Sequence, residues 1–182
     1  MRKVLYILGH LDDRDVDWLA HAGIKRRVPA GERLITEGRP VSAVYIVLEG
    51  RLAVTVNKVG RVALLGSGEV VGEMSFVDSA PPSASVDALE DCVVLEITKR
   101  DLTAKLAGDT GFSARFYKAM ALFLADRLRQ TVRHLGYGEV ASLESEDVLE
   151  DEVDDAILDS VSQAGDRFDR LLRAVSASAS SF

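Results

Sequence analysis

Gly68-Glu69-Val70-Val71-Gly72-Glu73-Met74-Ser75-Phe76-Val77-Asp78-Ser79-Ala80-Pro81-Pro82-Ser83-Ala84-Ser85-Val86 is the stretch that decides how this 182-residue chain folds. An apolar pair, Val70-Val71, lies between glycines, and an acid, Glu73, follows the second of them. Met74 to Val77 then gives way to a turn of Asp, Ser and Pro. Around this stretch the texture is β. Short runs rich in β-branched residues cover Arg33 to Thr36, Val44 to Leu48, Leu52 to Val56, Val62 to Leu65, Ala84 to Leu89 and Val93 to Ile97. Glycines 31, 38, 50, 60, 66, 68 and 72 fall at the breaks between them. Several short strands at this spacing, with no helices interleaved, predict an antiparallel sandwich or jelly roll.

Helical patterns flank the β region. Leu11 to Ala22 reads as a short amphipathic helix, with Asp12 or Asp13 as its cap and Val16, Leu19 and Ala20 on one face. Helical character returns over Arg100 to Ala107 and in a longer segment from Phe112 to Leu135. Within the latter, Ala119-Met120-Ala121-Leu122-Phe123-Leu124-Ala125 is apolar all round, which predicts one face on the barrel and another on a partner. Glu139 to Asp159 holds ten acids and no base, while Val153, Ile157 and Val161 keep a helical stripe. This reads as an acidic connector entering a helix. Phe168, Leu171, Leu172 and Val175 mark a final amphipathic piece, and the Ser/Ala-rich end Ser176 to Ser181 is expected to be disordered. The expected division is a domain over 1–135, including the N-terminal and long helices, and an acidic linker with a C-terminal helix over 136–182.

Charge and composition exclude several functions. The net charge of −7 is unevenly spread: residues 1–135 carry 19 Lys/Arg against 17 Asp/Glu, and residues 136–182 carry 3 against 12. A tail of −9 would be repelled by a phosphate backbone. The single cysteine, Cys92, cannot form an internal disulfide and reads as a small core residue at the head of an apolar strand. His10, His21 and His134 have no mutual spacing that suits a metal or a catalytic dyad, and no nucleophile elbow or Walker loop is present. Val4 to Leu8 is too short for a membrane span. The expectation is a non-enzymatic cytoplasmic protein without a metal.

The run quoted at the outset resembles the phosphate-binding cassette of the cyclic-nucleotide-binding domain family, the family of the cAMP receptor protein effector domain, kinase regulatory subunits and gated channels. Pro29-Ala30-Gly31-Glu32, Glu37-Gly38 and Val44-Tyr45-Ile46-Val47-Leu48-Glu49-Gly50 resemble the family's first strands and turns, and the likeness extends over residues 11–135. It implies a mainly β fold with flanking helices: an eight-stranded antiparallel jelly roll followed by a long helix, here with an acidic helical tail. It also implies a ligand, cAMP or cGMP, held by Val71, Gly72, Glu73, Met74, Ser75, Pro82, Ser83 and Ala84. Gly72 would let the backbone approach closely, and the amides at Met74 and Ser75 would face an anion from a helix start. Glu73 matches the family's acid that accepts a hydrogen bond from the ribose 2′-hydroxyl; Ser83 and the Ala84 amide match positions that bond the cyclic phosphate. The resemblance further implies dimerisation through the 112–135 helix.

One departure changes the expectation. Pro82 stands where ligand-binding members carry arginine, which removes a fixed positive charge and an N–H donor. Losing one partner of a buried charged pair costs about 2–5 kcal/mol. An arginine elsewhere in the chain, such as Arg51 or Arg61, is the candidate to compensate. The 47 residues after Leu135 are acidic and too few for a winged helix-turn-helix, so direct DNA contact is not expected. Two functions remain open. One is a stand-alone sensor of a cyclic nucleotide or related small ligand, signalling through protein contacts. The other is a degenerate fold that binds no nucleotide and acts as a protein-interaction scaffold. For Glu73 the alternative to ribose binding is a carboxylate that caps nearby amides. Arg127, Arg129 and Arg133 are a candidate docking surface for the acidic tail, which is itself expected to meet an unidentified protein partner.

Overall fold

In a computed structural model, the described residues are 4–136 and 155–178. The elements are α1 (Val4–His10), α2 (Asp13–Ala22), β1 (Ile24–Val28), β2 (Arg33–Ile35), β3 (Ala43–Glu49), β4 (Leu52–Val56), β5 (Gly60–Leu65), β6 (Val70–Val71), α3 (Met74–Val77), β7 (Ser85–Ala88), β8 (Cys92–Thr98), α4 (Lys99–Gly108), α5 (Thr110–Gly136) and α6 (Asp155–Ser178). The strands form two four-stranded antiparallel sheets, ordered β1-β8-β3-β6 and β2-β7-β4-β5. They face each other as a jelly roll.

β3 shows how the sequence builds two cores from one strand. Six consecutive residues, Ala43 to Leu48, are buried. Ala43, Tyr45 and Val47 enter the roll, and Val44, Ile46 and Leu48 enter the layer under the helices, as the two-residue side-chain period requires. β8 divides likewise: Cys92 and Val94 face the roll, Leu95 and Ile97 the helices. Two buried faces explain why these strands read as unbroken apolar runs. Cys92 is fully enclosed as a small core residue, and Gly50, at φ 89°, has no room for a side chain because a Cβ would lie 2.6 Å from its sulfur.

The helices have local causes. Asp12 caps α2 through a reciprocal capping box with Asp15, and Thr98 caps α4 through the Asp101 amide. Asp15 is itself buried and receives a bidentate hydrogen bond from Arg115 of α5, at 2.6 and 2.8 Å. This pair ties the first half of the chain to the long helix. In α5, Phe112, Phe116, Ala119, Met120 and Phe123 are buried, whereas Tyr117, Leu128 and Val132 are exposed.

α1 was not among the predicted elements. Its apolar face has a partner late in the chain, since Ala164, Leu171 and Val175 of α6 join Ile7, Leu8 and Leu11 in the helix-layer core. Arg167 donates to the Leu8 and Gly9 carbonyls at 3.1 and 3.0 Å, satisfying acceptors at the end of α1. Arg170 pairs with Asp17 at 2.7 Å and with Asp13 at 3.0 Å. The described part of the tail thus contributes cations to acids on α2. Of the cations expected to receive the tail, the side chains of Arg127 and Arg133 lie outside the described residues, as does most of the acidic connector. One expectation needs correction: helix α6 continues through Ser178, so the first Ser/Ala residues of the predicted disordered end are helical. Buried Val175 anchors that last turn. No helix among the described residues is long and apolar enough to cross a membrane.

Candidate functional site

The cassette starts where β6 ends. Val71 is buried and pairs with Tyr45. Gly72 has φ 85°, and a Cβ there would sit 2.8 Å from the Ala43 carbonyl oxygen. Only glycine meets both conditions. Glu73 then enters helical backbone with 2 % exposure, and the Phe76 and Val77 amides donate to its carbonyl at 3.1 and 3.0 Å. Its side chain makes no capping bond to α3. Ser75 is buried as well, whereas Met74 is 48 % exposed and turns away from the interior.

The second arm closes through other contacts. Ser79 turns the chain at φ 59°, and the Ala80 amide donates to the Asp78 carboxylate at 2.9 Å. The Pro82 carbonyl accepts from the Gly38 amide at 2.8 Å. Ser83 is exposed, Ala84 half-buried, and the hydroxyl of buried Ser85 accepts from the Glu37 amide at 3.0 Å. Ile35 brings the two arms together: it pairs with Val86 of β7, and its Cδ1 lies 3.7 Å from where a Gly72 Cβ would be. Ile35 thus touches the Gly72 corner and the strand that follows Ala84, while Met74 and Ser83 are exposed.

The expected substitute cations are elsewhere. Arg51 is bound to Glu90 through two hydrogen bonds, at 3.2 and 3.1 Å. Arg61 pairs across the sheet with Thr55, whose hydroxyl reaches Asp87 at 3.2 Å. Cross-strand partners share a face, and the roll-facing residues of these strands are Leu52, Val54, Val86 and Ala88. Arg61 therefore lies on the outside of the sheet.

Sequence reasoning missed Lys99. Its ammonium donates to the Ser75 carbonyl at 2.6 Å and holds the cassette helix against the start of α4; burial pulls its pKa down, with the Asp78 carboxylate opposing. A cleft of about 310 Å³ opens between Pro40, Val41, Ser75, Phe76, Lys99 and Thr103. The only signal in sequence was position, a lysine directly after a strand. On its inner side the cassette helix meets the long helix. Phe76 packs edge-on to Phe116 at 5.9 Å, Phe116 stacks on Phe112 at 5.6 Å, and Phe112 tilts against Trp18 at 5.5 Å.

Comparison with known proteins agrees with this architecture. Residues 25–109 match the sequence profile of the cyclic nucleotide-binding domain, and this segment of the chain is a domain of that family. An uncharacterized NTE family protein of Mycobacterium tuberculosis is 32 % identical over 118 residues, 65 % of this chain and 20 % of that protein. The cyclic AMP receptor protein of Thermus thermophilus is 35 % identical over 99 residues, 52 % of this chain and 45 % of that protein. The chain thus spans less than half the length of these relatives. A solved cyclic nucleotide-binding domain from Methylobacillus flagellatus superposes with a TM-score of 0.67 at 22 % identity, covering 78 % of this chain and 86 % of that one. The profile match ends before α5 and excludes α1, α2 and α6.

Proposed function

We propose that this chain is a regulatory module that takes a cyclic nucleotide between the cassette and the roll and converts binding into a rearrangement of its helices. The observation that carries this reading is the Gly72-Glu73 corner. There a glycine fixed by its backbone delivers a carboxylate to 2 % exposure directly after β6. An ionisable group held inside a fold is a mark of a functional site. The family match and the likeness to a cyclic AMP receptor protein support the ligand class.

Output follows from packing. A ligand that draws α3 inward moves Phe76 against Phe116 and strains the Lys99–Ser75 contact, which shifts α4 and α5. The ligand must favour one helix arrangement for the shift to occur. The exposed Tyr117, Leu128 and Val132 of α5 offer an apolar stripe for a second copy of the chain, and the acidic tail is the surface for a further protein partner.

Pro82 favours a second reading, a scaffold that binds no nucleotide, because it supplies neither charge nor N–H and its carbonyl is already taken by Gly38. Calorimetric titration with cAMP and cGMP, with Pro82→Arg in parallel, separates the two. Saturable binding by the natural chain, tightened at least about 30-fold in Pro82→Arg, is expected. Absence of heat from both proteins would reject the sensor.

A further inference from the structure

We infer that Arg39 supplies the positive charge the cassette lacks at Pro82. This rests on the reading that the cassette takes a cyclic nucleotide, and it identifies the residue that meets the phosphate. The β2–β3 loop is attached to the cassette on both sides of Arg39. Before it, the Gly38 amide holds the Pro82 carbonyl at 2.8 Å and the Glu37 amide holds the Ser85 hydroxyl at 3.0 Å. After it, Pro40 and Val41 line the same cleft as Ala80 and Pro81. The backbone of Arg39 is therefore held beside the arm that would contact the phosphate. It is exposed and has no ion pair among the described residues.

Other cations around the cassette are spoken for or turned away. Arg33 is bound to Asp87, Arg51 to Glu90, and Lys99 to the Ser75 carbonyl. Arg61 lies on the outer face of its sheet with Thr55. Lys58 sits at the tip of the β4–β5 turn, which is tied to the loop by the Asn57 amide on the Glu37 carboxylate at 2.8 Å. A planar guanidinium on a long side chain suits a phosphate bearing one charge, and it can approach from outside the roll where proline has closed the usual route. Such a contact is partly solvated, so its strength depends on salt.

The test is calorimetric titration of the full chain with cAMP at low and high ionic strength, using the natural protein, Arg39→Ala, Arg39→Lys, Arg61→Ala, Pro82→Arg and the Arg39→Ala/Pro82→Arg double variant. The expected result is a loss of about tenfold or more in Arg39→Ala, as for removal of one charge-assisted hydrogen bond. Arg39→Lys should recover part of it, Arg61→Ala should match the natural protein, and the salt dependence should flatten in Arg39→Ala. The double variant should regain affinity from the new arginine. Equal binding by the natural protein and Arg39→Ala would overturn the inference and leave the cyclic-nucleotide reading standing. Binding by Pro82→Arg alone would overturn it too, because Arg39 would then supply no charge. If no variant binds, the reading of the cassette fails, and the inference with it.

Discussion

The interior of the roll and the layer beneath the helices share strands β3 and β8 yet are filled differently. The roll is mainly aliphatic, with Ala43, Val47, Leu52, Leu65, Val86 and Val94 around the ring of Tyr45. The helix layer holds Phe112, Phe116 and Phe123, with Trp18 and Phe76 packed against it. Large rings make the helix layer sensitive to displacement of a single neighbour. The ring of Phe76 is where the two regions meet, since it belongs to the cassette and packs in the other core.

The comparison breaks most readily at Phe112, which has no solvent exposure. Phe112→Ala should cost about 3–5 kcal/mol in urea unfolding, whereas Ile35→Val in the roll should cost about 0.5–1.5 kcal/mol. A loss well below about 3 kcal/mol in Phe112→Ala would show that the helix layer closes around the missing ring.

Next in size is the link between α2 and α5. Burial alone would push the Asp15 carboxyl up, but the Arg115 guanidinium and the Asp12 amide outweigh it and hold the carboxyl below the usual carboxylate range. Its contribution to stability is therefore complete above the unfolded aspartate value, about 3.9, and is lost as pH falls through the lower folded value. Arg115→Ala should cost about 1.5–3 kcal/mol near neutral pH. The gap between variant and natural protein should narrow below about pH 4; a gap that stays constant with pH would remove the ion pair from the account.

Gly72→Ala should cost about 1–2 kcal/mol for its left-handed backbone alone. The collision with the Ala43 carbonyl should also displace Glu73 and abolish cAMP binding in calorimetry. Retained binding would mean that the corner does not position the carboxylate. The smallest effect belongs to Arg51→Ala, on the exposed Glu90 pair far from the cassette. Its cAMP affinity should stay within about twofold of the natural chain, as expected for a surface ion pair.

Most of the roll was legible because its strands carry period-two or fully apolar patterns between glycines. β1 was not outlined because Ile24-Lys25-Arg26-Arg27-Val28 puts charges in a strand, and Arg26 earns its place through Glu32 and Glu96. β6 is only two residues long. α1 depends on a helix some 150 residues later that covers its apolar face. At the site, the cassette corner was readable from Gly72-Glu73, since glycine geometry is local. Lys99 and the loop at 37–41 were not, because they reach the cassette through tertiary contacts that no spacing encodes. The sequence left Arg51 and Arg61 as substitutes; only strand register and pairing remove them.

Trp18, the single tryptophan, packs on Phe112 and lies under the Lys105 ammonium at 5.8 Å from the ring centre. Its fluorescence reports whether the cassette speaks to the helices. Titrating the full chain with cAMP should give a saturable change in Trp18 emission with the midpoint found by calorimetry, and Phe116→Ala should remove the emission change while calorimetric binding remains. Calorimetric binding by the natural chain with no change at Trp18 would contradict the account, because the cassette would then take its ligand without moving the helix layer.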